Sequence, residues 1–255
     1  MKAACAATYA SPAIQWLLGG ELHPGGERTT QRALELIELR RGERLLDVAS
    51  GTGSSAILAA QEFGCIAAGL DYSPEAVRAA QESADAAGLR DLVGFVEGDA
   101  EKLPFPDGSF DAVLCECSLC TFPGKAMALR EIRRVLRPGG RLALSDVVAD
   151  RPRLLPDLDG ALATIACIGD ALSHEGYVDL FAAAGLVVAA IESRDADADA
   201  LAERVHDRLR ASRILGFDSP ADAPIGIDDA LELLAAARRA IAEGSLGYAI
   251  FIVTR

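Results

Sequence analysis

The stretch "LLDVASGTGSSAILAA" (45–60) decides how the rest of the chain is read. A short apolar run passes through a Gly-containing turn straight into a helical pattern. Gly51 and Gly53 can take positive φ, and without a Cβ they let backbone come close to a ligand. The helix that follows offers unpaired N–H groups and a partial positive charge at its start.

Working outward, short apolar runs alternate with helical patterns. Strands are expected at 44–50, 65–71, 93–99, 110–116, 141–147, 186–193 and 248–255, with helices near 53–63, 75–87 and 125–137. The first five strands are continuous apolar runs, as expected when helices cover both faces of a parallel sheet. The fold class is therefore α/β, a doubly wound, mostly parallel seven-stranded sheet. In "SPEAV" (73–77), Ser73 is placed to cap a helix, with Pro74 just inside it. "RPGGR" (137–141) ends another helix before a strand. Residues 1–255 are read as one domain. An N-terminal helical cover (1–40) precedes a cofactor-binding core (41–193), a helical insertion (194–246) and the last strand (247–255).

The second expected strand ends in Asp71, eighteen residues past Gly53, and the third ends at Asp99. A carboxylate at the end of the second strand can accept hydrogen bonds from both ribose hydroxyls, and ligands of open α/β sheets bind at that edge. Three polar strand ends in succession imply an extended, nucleoside-like ligand. A nicotinamide dinucleotide is the competing ligand. Against it, Gly-Thr-Gly is not GxGxxG, and no Tyr/Lys or His/Asp pair marks hydride transfer.

Composition excludes other classes. The chain of 255 residues is 51% hydrophobic and carries a formal net charge of −13. Such a surface repels polyanions, so no nucleic-acid partner is expected and a small molecule fits better. No apolar run is long enough to span a bilayer, about 18 residues, and the first twenty residues lack the pattern of a secretory signal. A cytoplasmic, reducing location and free thiols are the expectation.

"DVASGTG" (47–53), "GLDYSPE" (69–75), "GDAEKLPFPDGSFDAV" (98–113) and "ALREIRRVLRPGGRLALSD" (128–146) together resemble the class I S-adenosylmethionine-dependent methyltransferases. The block "LPFPDGSFDAV…LREIRRVLRPGG" is similar to the branch of quinone-biosynthesis and arsenite methyltransferases. The resemblance covers about residues 40–193. It implies S-adenosyl-L-methionine as cofactor, with Asp47, Ala49, Ser50, Gly51 and Gly53 around the methionine moiety. It further implies Asp71 and Tyr72 at the ribose, Asp99 and Ala100 at the adenine, and Cys115 close by. The family usually has Gly where this chain has Ala49.

Methyl transfer needs mainly an aligned nucleophile in a site that excludes water. The acceptor should lie beyond the fourth strand, where "FDAVLCECSLCTFPGK" (110–125) concentrates Cys115, Cys117 and Cys120. Strand alternation puts Cys115 and Cys117 on one side and Glu116 opposite. The bland reading is that these thiols are small hydrophobes in a buried strand end. A helix carrying Cys167, a "GDALS" break (169–173) and a second helix resemble the segment that binds trivalent arsenic in arsenite methyltransferases. Arsenic(III) takes three thiolates, and Cys117, Cys120 and Cys167 are the candidate set, with no other metal site expected. The family's cysteine after the glycine loop is replaced here at about Ala56, and no cysteine follows Cys167.

His174, at the expected helix start, is a candidate general base for an O- or N-acceptor. Trp16 and Phe122 are candidates for an apolar acceptor wall. His23, between glycine pairs, is a candidate lid, or simply part of a loop before a helix capped by Thr29 or Thr30. His206 reads as a surface residue. Three readings stay open: methyl transfer to a thiol-held metalloid, methyl transfer to a carbon, oxygen or nitrogen of a small organic metabolite, and a non-catalytic thiol sensor.

Overall fold

A computed structural model describes residues 12–20, 22–154, 158, 167–215 and 226–255. Seven strands form one sheet: β1 (Arg44–Val48), β2 (Ile66–Asp71), β3 (Val93–Glu97), β4 (Phe110–Glu116), β5 (Leu136–Ala149), β6 (Val187–Ser193) and β7 (Leu246–Thr254). Their spatial order is β3-β2-β1-β4-β5-β7-β6. The pairs β1–β2, β2–β3, β1–β4 and β4–β5 are parallel. β7 runs antiparallel to both β5 and β6, which makes the sheet mixed.

The strands alternate between two cores. Leu46, Val48, Val113 and Leu144 face one, with Leu129, Tyr177 and Phe181 from its helices. Leu45, Ala112, Leu114 and Ala143 face the other, under Ala33, Leu34 and Ala56. Both faces are dry, which is why these strands read as unbroken apolar runs.

Helices α1 (Pro12–Leu18), α2 (Gly26–Leu36), α3 (Ser54–Leu58), α4 (Pro74–Ala86), α5 (Lys125–Val135), α6 (His174–Ala183), α7 (Asp195–Ile214) and α8 (Ile227–Ala242) fill the connections. Ser73 caps α4, its Oγ accepting from the Ala76 N–H at 3.2 Å. α2 begins behind Gly25, so Thr29 and Thr30 lie inside it, buried, and neither caps it. The helix expected over 53–63 is α3 followed by a π-helical turn, Ala59–Phe63. α5 stops at Val135 because Pro138 disfavours helical backbone at Arg137, and β5 starts at once. The expected helix before Cys167 falls mostly outside the described residues, as does the start of the chain.

The insertion holds α7 and α8 and packs on α1 through Val205, Leu209, Leu17 and Leu18. α8 also covers Ala149 and Leu246 with Ala236, Ala237 and Ala240. Among the described residues, no helix is long and apolar enough to cross a membrane.

Candidate functional site

The chain leaves β1 outward through β2 and β3, then returns to place β4 on β1's other side. That reversal opens a crevice at the carboxyl ends of β1 and β4, the place where open α/β sheets take ligands. A cavity of about 380 Å³ lies there.

Its floor is the turn after β1. Ala49 holds φ +62°, Gly51 +51° and Gly53 +84°. The Ser50 N–H donates to Leu70 O at 3.0 Å, and the Gly51 N–H donates to Asp71 Oδ2 at 2.8 Å. Asp71 Oδ1 accepts from the Ser73 N–H, also at 2.8 Å. One carboxylate thus ties the β1 turn to the start of α4. Ala49, Ser50, Gly51, Asp71, Tyr72, Asp99 and Ala100 all line the cavity, as does Asp47.

Gly53 does not line it. A Cβ there would meet the Phe95 ring at 2.4 Å and Ala80 at 2.9 Å, so Gly53 is needed for packing under the turn. Ala49 is the reverse case, an L-residue in left-handed backbone, which costs roughly 1–2 kcal/mol. Ala49→Gly is therefore expected to raise stability by about 0.5–1 kcal/mol after the unfolded-state entropy of Gly is counted. A higher urea midpoint at unchanged m-value is the measurement that checks it.

Two buried polar atoms of this floor, Asp47 Oδ2 and Ser50 Oγ, have no hydrogen-bond partner among the described residues. Burial, then the charges of Glu116 and Asp71, push the Asp47 carboxyl well above its ordinary range.

Glu116, at the end of β4, is the functional residue that sequence reasoning missed. It lines the cavity and accepts from Ser55 Oγ at 2.6 Å and from Thr30 Oγ1 at 3.1 Å. His23 Nε2 stands 3.6 Å from Glu116 Oε2, and Leu22 and His23 line the cavity from the N-terminal side. Alternation along β4 puts Glu116 on the same face as Leu114, the partner of Asp47, but does not say which side chains meet it there.

The thiols divide. Cys115 is fully buried in the core beneath the sheet and does not touch the cavity, so its expected place beside the cofactor is corrected. Cys117 does line the cavity, but not through strand alternation: its φ of +48° turns it out of the strand's pattern. Cys120 is buried on the short 3₁₀ turn Leu119–Thr121, its N–H donating to Asp146 Oδ2 at 2.7 Å. Cys167, also buried, holds φ +62° and has its Sγ 3.8 Å from Cys117 O. Its thiol lies against those of Cys117 and Cys120. The structure thus brings Cys117, Cys120 and Cys167 together, with only Cys117 opening to the cavity. Contact with Cys167, then burial, pushes the thiols of Cys117 and Cys120 well up, away from thiolate. Among the described residues, no three His, Cys, Asp or Glu side chains are arranged to hold a metal ion.

His174 is not in the cavity. It is exposed at the first residue of α6, its ring 6.1 Å from that of Phe251, while Ser173 caps the helix. Trp16 is exposed and outside the cavity, whereas Phe122 lines it. No described residue of the insertion lines the cavity.

A family model described as a methyltransferase domain matches residues 46–144. The chain is 42% identical over 119 residues to 27-O-demethylrifamycin SV methyltransferase of Amycolatopsis mediterranei, covering 47% of this chain and 44% of that protein. It spans about half the length of the curated relatives it matches first. Among solved structures, the [4+2]-cyclase SpnF superposes with a TM-score of 0.78 at 25% identity, over 98% of this chain and 95% of that one. Phosphoethanolamine N-methyltransferase 2 of Haemonchus contortus, in complex with S-adenosyl-L-methionine, gives 0.77 at 20% identity, over 95% and 56%.

Proposed function

We propose that this chain, whose residues 46–144 match a methyltransferase-domain model, transfers the methyl group of S-adenosylmethionine to a small organic acceptor. The observation that carries the reading is the cavity floor. Among the described residues, Asp47 Oδ2 and Ser50 Oγ are buried without partners, and Asp71 stands at the neighbouring strand end. A buried acceptor without a donor is costly, and a ligand rich in N–H and O–H groups relieves it. S-adenosylmethionine supplies such groups on its ribose and amino acid, and a methyl on a sulfonium that is already a good leaving group.

In this reading Asp71 holds the ribose hydroxyls, and its two backbone partners keep it aimed. Asp99 and Ala100 take the adenine, with Leu70 and Ala79 as its apolar walls. The turn at Ala49–Gly51, with Asp47 and Ser50, takes the amino-acid portion. The acceptor side is then Cys117, Ser118, Thr121 and Phe122, closed from the N-terminal side by Leu22 and His23. His23, paired with Glu116, gives the proton of a hydroxyl acceptor a place to go, a role that His174 cannot fill from outside the cavity.

A metalloid held by thiolates is the weaker reading. It needs three thiolates, while burial and mutual contact favour the protonated thiols and only Cys117 meets the cavity. The test is incubation with methyl-labelled S-adenosylmethionine and, in parallel, a panel of hydroxylated aromatic and polyketide-like acceptors or arsenite with a thiol reductant. Label in an organic product is expected. Label confined to methylarsenicals overturns the acceptor, and absence of heat on titrating S-adenosylhomocysteine overturns the cofactor.

A further inference from the structure

Methyl transfer to an organic acceptor leaves three converging thiols without a task, and two of them sit on strained backbone. Cys117 and Cys167 both occupy the left-handed region, at +48° and +62°. For a residue with a Cβ this conformation is strained, and such strain persists where the surroundings enforce it, often at functional sites. At Cys117 the distortion takes the thiol out of the β4 alternation and brings it to Cys167. The Cys167 thiol donates to Cys117 O at 3.8 Å, and the two side chains lie against each other.

The two differ in access. Cys117 is half-buried on the cavity wall, whereas Cys167 is 3% exposed and Cys120 1%. A small molecule in the cavity therefore meets Cys117 first and finds Cys167 directly behind it. Attacking thiol at the opening, second thiol behind: this is the arrangement that thiol–disulfide exchange requires.

We propose that Cys117 and Cys167 form a reversible disulfide by exchange with a small disulfide that enters the cavity. The Cys117 thiolate attacks one sulfur of RSSR, forming Cys117–S–SR and releasing RS⁻, which takes up the proton Cys117 gave up. The Cys167 thiolate then attacks the Cys117 sulfur, and the second RS⁻ leaves to be protonated in the same way. Two protein thiols are oxidised and one small disulfide is reduced to two thiols. The bond staples the segment at 167 to the acceptor wall after β4. Cys120 also contacts Cys167, but the Asp146 carboxylate fixes its backbone and its sulfur has no path to the cavity.

Because contact and burial favour the protonated thiol of Cys117, the exchange is slow at neutral pH and quickens about tenfold per pH unit as thiolate accumulates. The experiment incubates the full chain with 2-hydroxyethyl disulfide at pH 8, alkylates remaining thiols under denaturing conditions, and maps peptides by mass. The expected product carries one Cys117–Cys167 linkage, about 2 Da lighter than the reduced chain before alkylation, with the other four of the six cysteines alkylated. Cys167→Ser is expected to stop at a mixed disulfide on Cys117, and Cys120→Ser to form the linkage as the parent does. A Cys117–Cys120 or Cys120–Cys167 linkage overturns the assignment, as does full alkylation of Cys117 and Cys167. This mapping uses no cofactor or acceptor, so it stands or falls apart from the methyl-transfer reading. As a second readout, the oxidised chain is expected to keep its S-adenosylhomocysteine heat and to lose labelled product at least tenfold, recovered with dithiothreitol.

Discussion

Asp71→Ala is expected to weaken S-adenosylhomocysteine binding by about 100-fold or more in a calorimetric titration. The carboxylate accepts from the Gly51 and Ser73 amides, both at 2.8 Å, and in the proposed complex also from the ribose. A hydrogen bond to a charged group contributes about 1.5–3 kcal/mol, so losing the ribose contacts alone accounts for roughly 3 kcal/mol, or two decades in Kd. Untying the turn adds to this, because the Gly51 N–H then lacks its partner and the floor of the cavity is no longer fixed. Asp71→Asn keeps one carbonyl acceptor and is expected to fall between parent and Ala. A thermal melt of each variant separates loss of fold from loss of binding. If Asp71→Ala folds and binds within threefold of the parent, the ribose does not lie at β2 and the proposed orientation is wrong.

That Asp71 was legible in the sequence, and Glu116 was not, has a physical cause. Asp71 and Asp99 stand at the ends of apolar runs, and a parallel sheet brings all such ends to one edge. Position along the chain then fixes position in space. Glu116 acquires its place from Thr30 on α2 and Ser55 on α3, which lie 86 and 61 residues away in sequence. No periodicity carries that information. Gly53 shows the limit in another way. Its need for positive φ was readable, but the Phe95 ring that fills the space where a Cβ would go comes from β3. His174 was placed by a helix start alone, which fixes the cap at Ser173 but not which core the helix end meets. The antiparallel direction of β7 left no mark either. A strand with both faces buried shows the same apolar run whichever way it points. The convergence of Cys167 on Cys117 was anticipated through resemblance, while the backbone distortion that produces it, a φ of +48° immediately after β4, has no sequence signature.

A second large effect is expected in the pH dependence of stability, and it centres on Asp146. This residue of β5 is completely buried, and burial pushes its carboxyl up to about 7, although the Cys120 and Val147 amides donate to it. Its titratable neighbours are the thiols of Cys115, Cys117, Cys120 and Cys167, and the phenols of Tyr177 and Tyr248. The thiols of Cys115 and Cys120 and both phenols are pushed upward, so they stay neutral across the window below pH 7. The unfolded chain releases the Asp146 proton near pH 4, whereas the native chain keeps it until about 7. Between those values the native state binds one more proton than the unfolded state, so stability falls as pH rises, and it levels off above 7. The full drop is roughly 4 kcal/mol, about three pH units at 1.4 kcal/mol each. Asp47 acts in the same direction. The depressed carboxyls of Glu131 and Glu192 act oppositely, through ion pairs with Arg134 and Arg32 that are open to solvent and contribute little. Urea denaturation at pH 5, 6, 7 and 8 measures the slope. Asp146→Asn keeps a carbonyl for one amide and removes the titration, so the variant is expected to lose about one proton's worth of slope. It gains on the parent by roughly 3 kcal/mol between pH 5 and 8, about two pH units at 1.4 kcal/mol each, whatever its stability at pH 5. A constant difference between variant and parent across that range would show that Asp146 is ionised in the native core. The thiol cluster beside it would then border a buried negative charge, a setting in which exchange at Cys117 would be slower still.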